Sequence, residues 1–408
     1  MKIKHCLASI LIMVGASSPA LSQPIELLHY WISPGENAAV ETIGKAVERQ
    51  GFEWANSGSS DYLTMRRDAI SRATTGVSPT AILMQGGEDL RHTAKLGIMH
   101  PLSQQAMQGD WSEVLHPVAL DAVTVDGQVI AIPFTIHNEN WVWYDANIYR
   151  QLGLSLPNSW QEFVEQAPAI EQAGFVPLSV GEADWVIRIL FTSIVAGVGG
   201  KPLHEALYVD AEPSVVDNPK MQEAIEVFAA LRAHGPKPGD AKTWLDAINL
   251  VIEGKAAANV MGDWAKGEFI SHAKMPEVDY FCRPSPGAQD LFIAGVDAFA
   301  LPISAKGPLT VEQSVFLEIA MNPEVQTEFA LLKGSIPAIN LAHPENLDFC
   351  GKLSFPMLQS EASTVIISRE TTPEKTHLAI QNALGDFWRN STQEPDTLKA
   401  SLREILTP

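Results

Sequence analysis

Apolar positions recur along the chain in two alternating periods. Residues 25–31 (Ile-Glu-Leu-Leu-His-Tyr-Trp) read as a strand, and 37–50 follows with Ala39, Val40, Ile43, Ala46 and Val47 at helical spacing, closed by Gly51. Phe52 to Ala55 is a short strand, 61–74 a helix, and 80–84 (Thr-Ala-Ile-Leu-Met) a strand of the fully buried type. Strand and helix in strict alternation predict a mostly parallel sheet with helices on both faces.

The alternation then restarts. Strands are expected at Val129–Pro133 and Trp141–Tyr144, and Ser159-Trp-Gln-Glu162 is a capping box that opens a helix to about Gln172. A strand at Pro177–Val180, an apolar helix over 184–196, a helix opened by Asn218-Pro219, a helix at 243–253 and a strand at Ala256–Met261 complete a second unit. Arg283-Pro-Ser-Pro-Gly287 is a turn-rich link, followed by a strand at Phe292–Leu301, two helices (the second opening at Asn322-Pro323), a break at Gly334–Pro337 and a last long helix over 373–390. Short Pro/Gly links and the absence of repeats suggest two α/β lobes joined by several crossover segments. The cleft between them is where the carboxyl ends of such strands bind ligands. The expected partition is a first lobe of 23–133 plus 287–333 and a second of 134–283 plus 337–408, with hinges near 131–137, 283–287 and 333–337.

The extreme N-terminus does not fit this pattern. Lys2 and Lys4 precede an apolar run from Cys6 to Ala16, and small residues stand at Ala20 and Ser22. That is a secretory leader cleaved before Gln23, too short to span a membrane at ~20 apolar residues. No second run of that kind is read, so the mature chain is expected to be soluble and periplasmic. Of 408 residues, 28 are Lys or Arg and 48 Asp or Glu, a net charge of −20 that becomes −22 without the leader. Such acidity excludes nucleic acid and anionic membrane as partners. Two cysteines remain, Cys282 and Cys350. A disulfide and two buried thiols are equally compatible with an exported chain.

No catalytic signature is present: no G-x-S-x-G, H-E-x-x-H, GxxxxGK[ST] or strand-linked G-x-G-x-x-G. His137, Asp263 and His272 are isolated in sequence, without metal-ligand spacing, and no cofactor is implied. Tryptophan stands out instead, ten residues against six Tyr. Several lie beside acids or amides: Tyr30-Trp31 near Glu36, His137-Asn-Glu-Asn-Trp141, Asp184-Trp185 and Asp263-Trp264. A pyranose needs this mixture, because its C–H face stacks on an indole and its hydroxyl rim needs carboxylates, amides or Lys. Each Trp alone reads as well as a core aromatic.

These segments carry a resemblance. Leu28-His-Tyr-Trp31 with Gly35-Glu36, the Ala131–Asp145 block through Ile136-His137 and Trp141-Val-Trp-Tyr, Lys255–Trp264 ending in Met-Gly-Asp-Trp, Pro284-Ser-Pro-Gly287 and Leu332–Pro337 together run over nearly the whole mature chain. The chain resembles the periplasmic sugar-binding components of ABC importers, most of all the glucose/mannose-binding branch of the family 1 extracellular solute-binding proteins. The resemblance implies an α/β, two-lobe periplasmic binding protein fold, a mono- or small oligosaccharide in the interlobe cleft, an inner-membrane ABC permease as partner, a monomer and no enzymatic activity. It implies Tyr30 and Trp31 as first-strand aromatics beside the ligand and Glu36 as a hydroxyl acceptor. Trp264 would stack, Asp297 would accept a second hydroxyl, and Lys333 would donate from the hinge side. Trp185, from the Asp184-Trp185 pair, is a further candidate beside the ligand, and the resemblance leaves His137 either to orient backbone or to touch the sugar.

Two positions depart from that branch. Gln85 and Ser368 stand where relatives place cationic donors, and glucose itself is therefore in question. Two other readings follow. Arg188 and Arg369 either fork onto the carboxylate of an acidic sugar or are exposed surface arginines. A secreted carbohydrate-active enzyme is the remaining alternative, and a chemosensory role is not separable from transport on sequence.

Overall fold

The computed structural model describes residues 23–303, 307–340 and 344–407. The leader at 1–22 lies outside them. Among the described residues thirteen strands form two main sheets and a small hairpin. They are β1 (Ile25–His29), β2 (Trp54–Gly58), β3 (Ala81–Gln85), β4 (Thr124–Val125), β5 (Gln128–Val129), β6 (Ala131–Asn138), β7 (Val142–Asp145), β8 (Val176–Ser179), β9 (Ala256–Val260), β10 (Tyr280–Arg283), β11 (Phe292–Ala300), β12 (Ile336–Pro337) and β13 (Thr364–Ile366). The first sheet has the order β12-β6-β11-β3-β1-β2 with β13 also on β11, the second β10-β7-β9-β8, and β4 pairs β5 alone.

The expected parallel pairing holds where strand and helix alternate, in β2-β1-β3 and β8-β9. The strands that carry the chain between sheets run antiparallel instead: β11 against β3 and β6, β7 against β9 and β10. They arrive from the other lobe rather than through a crossover helix, so nothing imposes parallel direction on them. β6 and β11 are buried along their whole length. They form the spine of the first sheet, and their ends at Asn138 and Phe292 deliver the chain to and from the second.

The helices begin where the sequence provides caps. Ser33 and Glu36 form a reciprocal capping box on Pro34–Arg49, and Asp61 caps Tyr62–Thr75 through the Thr64 amide. At Trp160–Gln172 only half the expected box forms: Ser159 accepts from the Glu162 amide, while the Glu162 carboxylate turns to the Asn158 amide. Helix Asp184–Tyr208 is apolar enough over its length to pass for a membrane span. It is the central helix of the second core, broken at Gly200, whose φ of 65° suits glycine. A C-terminal helix, Pro395–Leu406, was not read from the sequence, although Leu398, Leu402 and Leu406 lie on one buried face.

The third crossover lies later than expected. β12 and β13 both pair within the first sheet. The 337–408 segment therefore does not pass wholly to the second lobe. The chain leaves the first sheet after Ile366, and Glu374–Arg389 then packs on the second-lobe core through Ile380, Leu384 and Phe387. Cys282 on β10 and Cys350 on helix Phe349–Leu358 are joined in a disulfide, with Cα atoms 6.0 Å apart. The open choice between bridge and free thiols is thus resolved in favour of the bridge.

Candidate functional site

The two lobes meet over the crossovers, in direct contact through His137 with Asp263 and through Ser33 with Glu268. Asn138, Glu139 and Asn140 are fully buried there. Asn140 accepts from the Ser285 amide and donates to the carbonyls of Ala288 and Leu291, while Asn138 accepts from the amides of Asn140 and Ile293. Asn138 and Asn140 thus satisfy the backbone of the crossovers and Glu139 pairs with arginines, while the buried Asn138 Nδ2 has no partner among the described residues. Trp141 and Trp143 are core residues of the second lobe.

Trp31 is also a core residue. It is 1% exposed and packs on Phe329 at 5.0 Å and Phe299 at 6.0 Å. Residues 30 and 31 continue beyond the end of β1, and consecutive residues of an extended chain point to opposite sides. Tyr30 is half-buried at the edge of the first core and Trp31 faces into it. The Tyr30 hydroxyl donates toward Asp297 at 3.4 Å and accepts from Gln85 Nε2 at 3.1 Å. Asp297 lies opposite both Gln85 on β3 and Thr135 on β6, beside a bulge in the β6–β11 ladder. Such a bulge re-aims the side chain next to it.

The second lobe contributes two half-buried indoles. Trp264 stands edge-on to His137, with ring centres 5.5 Å apart, and 6.4 Å from Trp185 in the first turn of Asp184–Tyr208. Gly262 makes the Trp264 pose feasible, because a Cβ there would lie 2.2 Å from the indole. His137 bridges Asp263, at 2.6 Å, and Asp297, at 3.3 Å.

Lys333 ends helix Pro323–Lys333 and places its ammonium 5.7 Å from the Trp31 ring centre and 5.9 Å from that of Trp264. It donates to Glu36 at 2.6 Å, and the other Glu36 oxygen accepts from the Ser33 amide. Both Glu36 oxygens thus already have protein partners. On the same flank Glu268 of the second lobe accepts from Ser33 Oγ at 2.7 Å and from the Gly35 amide at 3.1 Å. The backbones are so close that a Cβ on Gly35 would sit 2.4 Å from Gly267.

The arginines are neither exposed nor free. Arg188 is 2% exposed and grips Glu139 with both Nη atoms, at 2.9 and 3.0 Å. Arg369 reaches the same carboxylate at 3.3 Å, and Ser368 Oγ accepts weakly from Arg188 at 3.5 Å. Burial alone would raise the Glu139 pKa, but the two guanidiniums outweigh it and hold the carboxyl below its ordinary range. The surface reading of these arginines is overturned. As a carboxylate fork Arg188 is already occupied by Glu139, and Ser368 is sealed beneath it, 0% exposed.

Most of the residues singled out in the sequence converge where the lobes meet. Tyr30 is hydrogen-bonded to Gln85 and Asp297, His137 links Asp297 to Asp263 beside Trp264 and Trp185, Lys333 pairs with Glu36, and Arg188 and Arg369 share Glu139 with Ser368 against Arg188. Trp31 and Trp141 lie instead in the cores of the two lobes, and His272 is exposed. Sequence reasoning missed Tyr62, which meets Tyr30 edge-to-face at 5.4 Å and whose buried hydroxyl has no protein partner among the described residues. The available signal was its position, the first helical residue after the carboxyl end of β2.

Residues 50–307 match the family of bacterial extracellular solute-binding proteins. A probable sugar-binding periplasmic protein of Rhizobium meliloti (strain 1021) is 30% identical over 92% of this chain and 91% of its own length. A protein of the same description from Brucella suis biovar 1 (strain 1330) is 30% identical over 89% of this chain and 86% of its own. Among solved structures, the bacterial solute receptor AcbH, described as exclusive for β-D-galactopyranose, superposes with a TM-score of 0.77 at 19% identity, covering 94% of this chain and 97% of that one. A chitin oligosaccharide binding protein gives 0.74 at 17%, over 94% and 98%. At such identities these two similarities establish the fold alone.

Proposed function

The chain belongs to the family of bacterial extracellular solute-binding proteins, and from that premise we propose that it is a periplasmic receptor which closes its lobes on a mono- or small oligosaccharide and delivers it to an inner-membrane ABC permease. The observation that carries the reading is the meeting of two half-buried indoles, Trp185 and Trp264, with a hydrogen-bonded acceptor and donor set, Asp297, Tyr30 and Gln85, across the cleft. The indoles offer apolar faces for sugar C–H groups and the other three residues address the hydroxyl rim. Closure is favoured because such a ligand touches both lobes, and the closed form is what a permease reads. Export through a cleaved leader and action as a monomer belong to the same proposal.

The ligand is neutral in this reading. Around the cleft Arg188, Arg369, His137 and Lys333 are matched by Glu139, Asp297, Asp263 and Glu36. A uronic acid would add an unmatched charge; the Arg188 fork is occupied by Glu139, and Arg369, held by a single 3.3 Å contact, has a nitrogen left to meet it. Relatives named as binding proteins also weigh against a glycoside-cleaving enzyme. Calorimetric titration against neutral hexoses, pentoses, disaccharides and uronic acids tests the reading. Saturable binding of one neutral class without turnover supports it. Binding of uronic acids alone, or release of product, contradicts it.

A further inference from the structure

His137 faces two carboxylates from different lobes. Its Nδ1 lies 2.6 Å from Asp263 Oδ1, in the turn after β9 of the second lobe. Its Nε2 lies 3.3 Å from Asp297 Oδ2, on β11 of the first. Ionised carboxylates only accept hydrogen bonds, whereas a neutral imidazole has one donor and one acceptor nitrogen. A neutral ring would set a lone pair against an oxygen on one side. With both carboxylates ionised, only the imidazolium, with two donors, serves both; burial raises the Asp263 pKa, against the pull of His137. The ring is 2% exposed, so water does not substitute for either partner.

The partners are themselves fixed. Asp263 Oδ2 accepts from the Asn138 amide at 2.7 Å, which leaves that carboxylate little freedom. Asp297 also receives the Tyr30 hydroxyl, which in turn accepts from Gln85. A relay of hydrogen bonds therefore runs from Gln85 through Tyr30, Asp297, His137 and Asp263, from one lobe to the other.

We propose that His137 is a positioning residue: a buried imidazolium that aims Asp297 at the ligand and ties it to Asp263, so that ligand contact in the first lobe and closure onto the second form one coupled event. The inference rests on the sugar-receptor reading for its ligand, but not for the bridge itself.

The surrounding charges support the ionised ring. Burial alone would lower the imidazole pKa, but Asp263 and Asp297 outweigh it and raise the value to about 9. Lys333, beyond Trp264, opposes the positive ring and is itself paired with Glu36. The field of Arg369 falls on Asp297 from the other side. A pKa raised on folding means that the bridge is intact at neutral pH and is lost as pH rises through about 9.

Two measurements on the full chain test this. Ring-nitrogen NMR of 15N-histidine-labelled protein should show both His137 nitrogens protonated until the pH approaches 9. Sugar affinity should fall over the same alkaline range, and His137→Gln should bind about tenfold more weakly or worse, without that alkaline limb. Asp263→Asn should lower the midpoint of the ring titration by about one unit or more, since it removes one of two opposite charges. A His137 ring already neutral at pH 7.5 overturns the bridge. His137→Gln with wild-type affinity and pH profile overturns its role in positioning. Should the Gln variant not fold, the wild-type titration and Asp263→Asn still decide. Should the wild type bind no sugar, the receptor reading fails, and the ring titration alone decides whether the bridge exists.

Discussion

Glu139 is the carboxylate shared by Arg188 and Arg369, and Glu139→Gln isolates what that arrangement is for. The carboxylate is 1% exposed and receives Arg188 at 2.9 and 3.0 Å and Arg369 at 3.3 Å. Glutamine keeps the shape but removes the charge, and its amide hydrogens point at guanidinium donors. Two cations are then left in a dry crossover with one neutral oxygen between them. Breaking a buried pair by removing one partner costs ~3–5 kcal/mol, because the surviving charge stays desolvated. The loss should appear as a lowered urea midpoint, followed by both circular dichroism and fluorescence, since a two-lobed chain need not unfold in one step. Glu139→Gln/Arg188→Met removes one of the two stranded cations and should recover ~1 kcal/mol or more of the loss. Arg188→Met alone should be destabilising while leaving the affinity for a neutral sugar nearly unchanged in the folded fraction. A Glu139→Gln protein as stable as wild type, or an Arg188→Met protein that is stable but has lost its ligand, would refute the structural role assigned to this pair.

Other consequences are as direct. Replacing Cys282 and Cys350 by Ala opens a loop spanning 68 residues, for which chain entropy gives a loss of about 4 kcal/mol, and an unchanged urea midpoint would argue against the bridge. Trp31→Ala should lower stability by about 3–5 kcal/mol as a core truncation. Trp264→Ala should leave stability nearly intact and weaken sugar binding by about tenfold; the reverse pattern in calorimetry would exchange their roles. Burial pushes Glu370 up to about 8 from an ordinary 4.5, against the opposing field of Arg369. The folded state therefore holds that proton more tightly. Stability from this group is present below about 4.5 and is lost as pH rises through 8. Glu370→Gln should flatten the stability profile over that interval, and an unchanged slope would remove the assignment.

Much of this architecture was legible in the chain because local signals and burial agree. The β1-to-β3 alternation, the cap at Asn218 and the break at Gly334 each read from a few neighbouring residues. What failed is what depends on distant partners. Trp31 and Trp141 sit beside polar residues just as Trp185 and Trp264 do, yet two face cores and two face the cleft. That outcome is set by where the backbone turns after each strand, not by composition. Arg188 reads from sequence as either a ligand fork or a surface arginine, because its partner, Glu139, lies in another element, and that pairing makes its burial tolerable. The return of β13 to the first sheet likewise has no local mark, since a three-residue apolar strand fits either sheet. The C-terminal helix was different: its leucine spacing was present and simply unread.

The most direct test of the account is a sugar titration followed by intrinsic fluorescence in the wild type and in a Trp185→Phe/Trp264→Phe variant. The account predicts a saturable change with one class of neutral sugar, most of it lost when these two indoles are replaced although eight others remain. A response of equal size in the variant with unchanged affinity, or no response to any sugar in the wild type, would contradict a sugar site between these lobes.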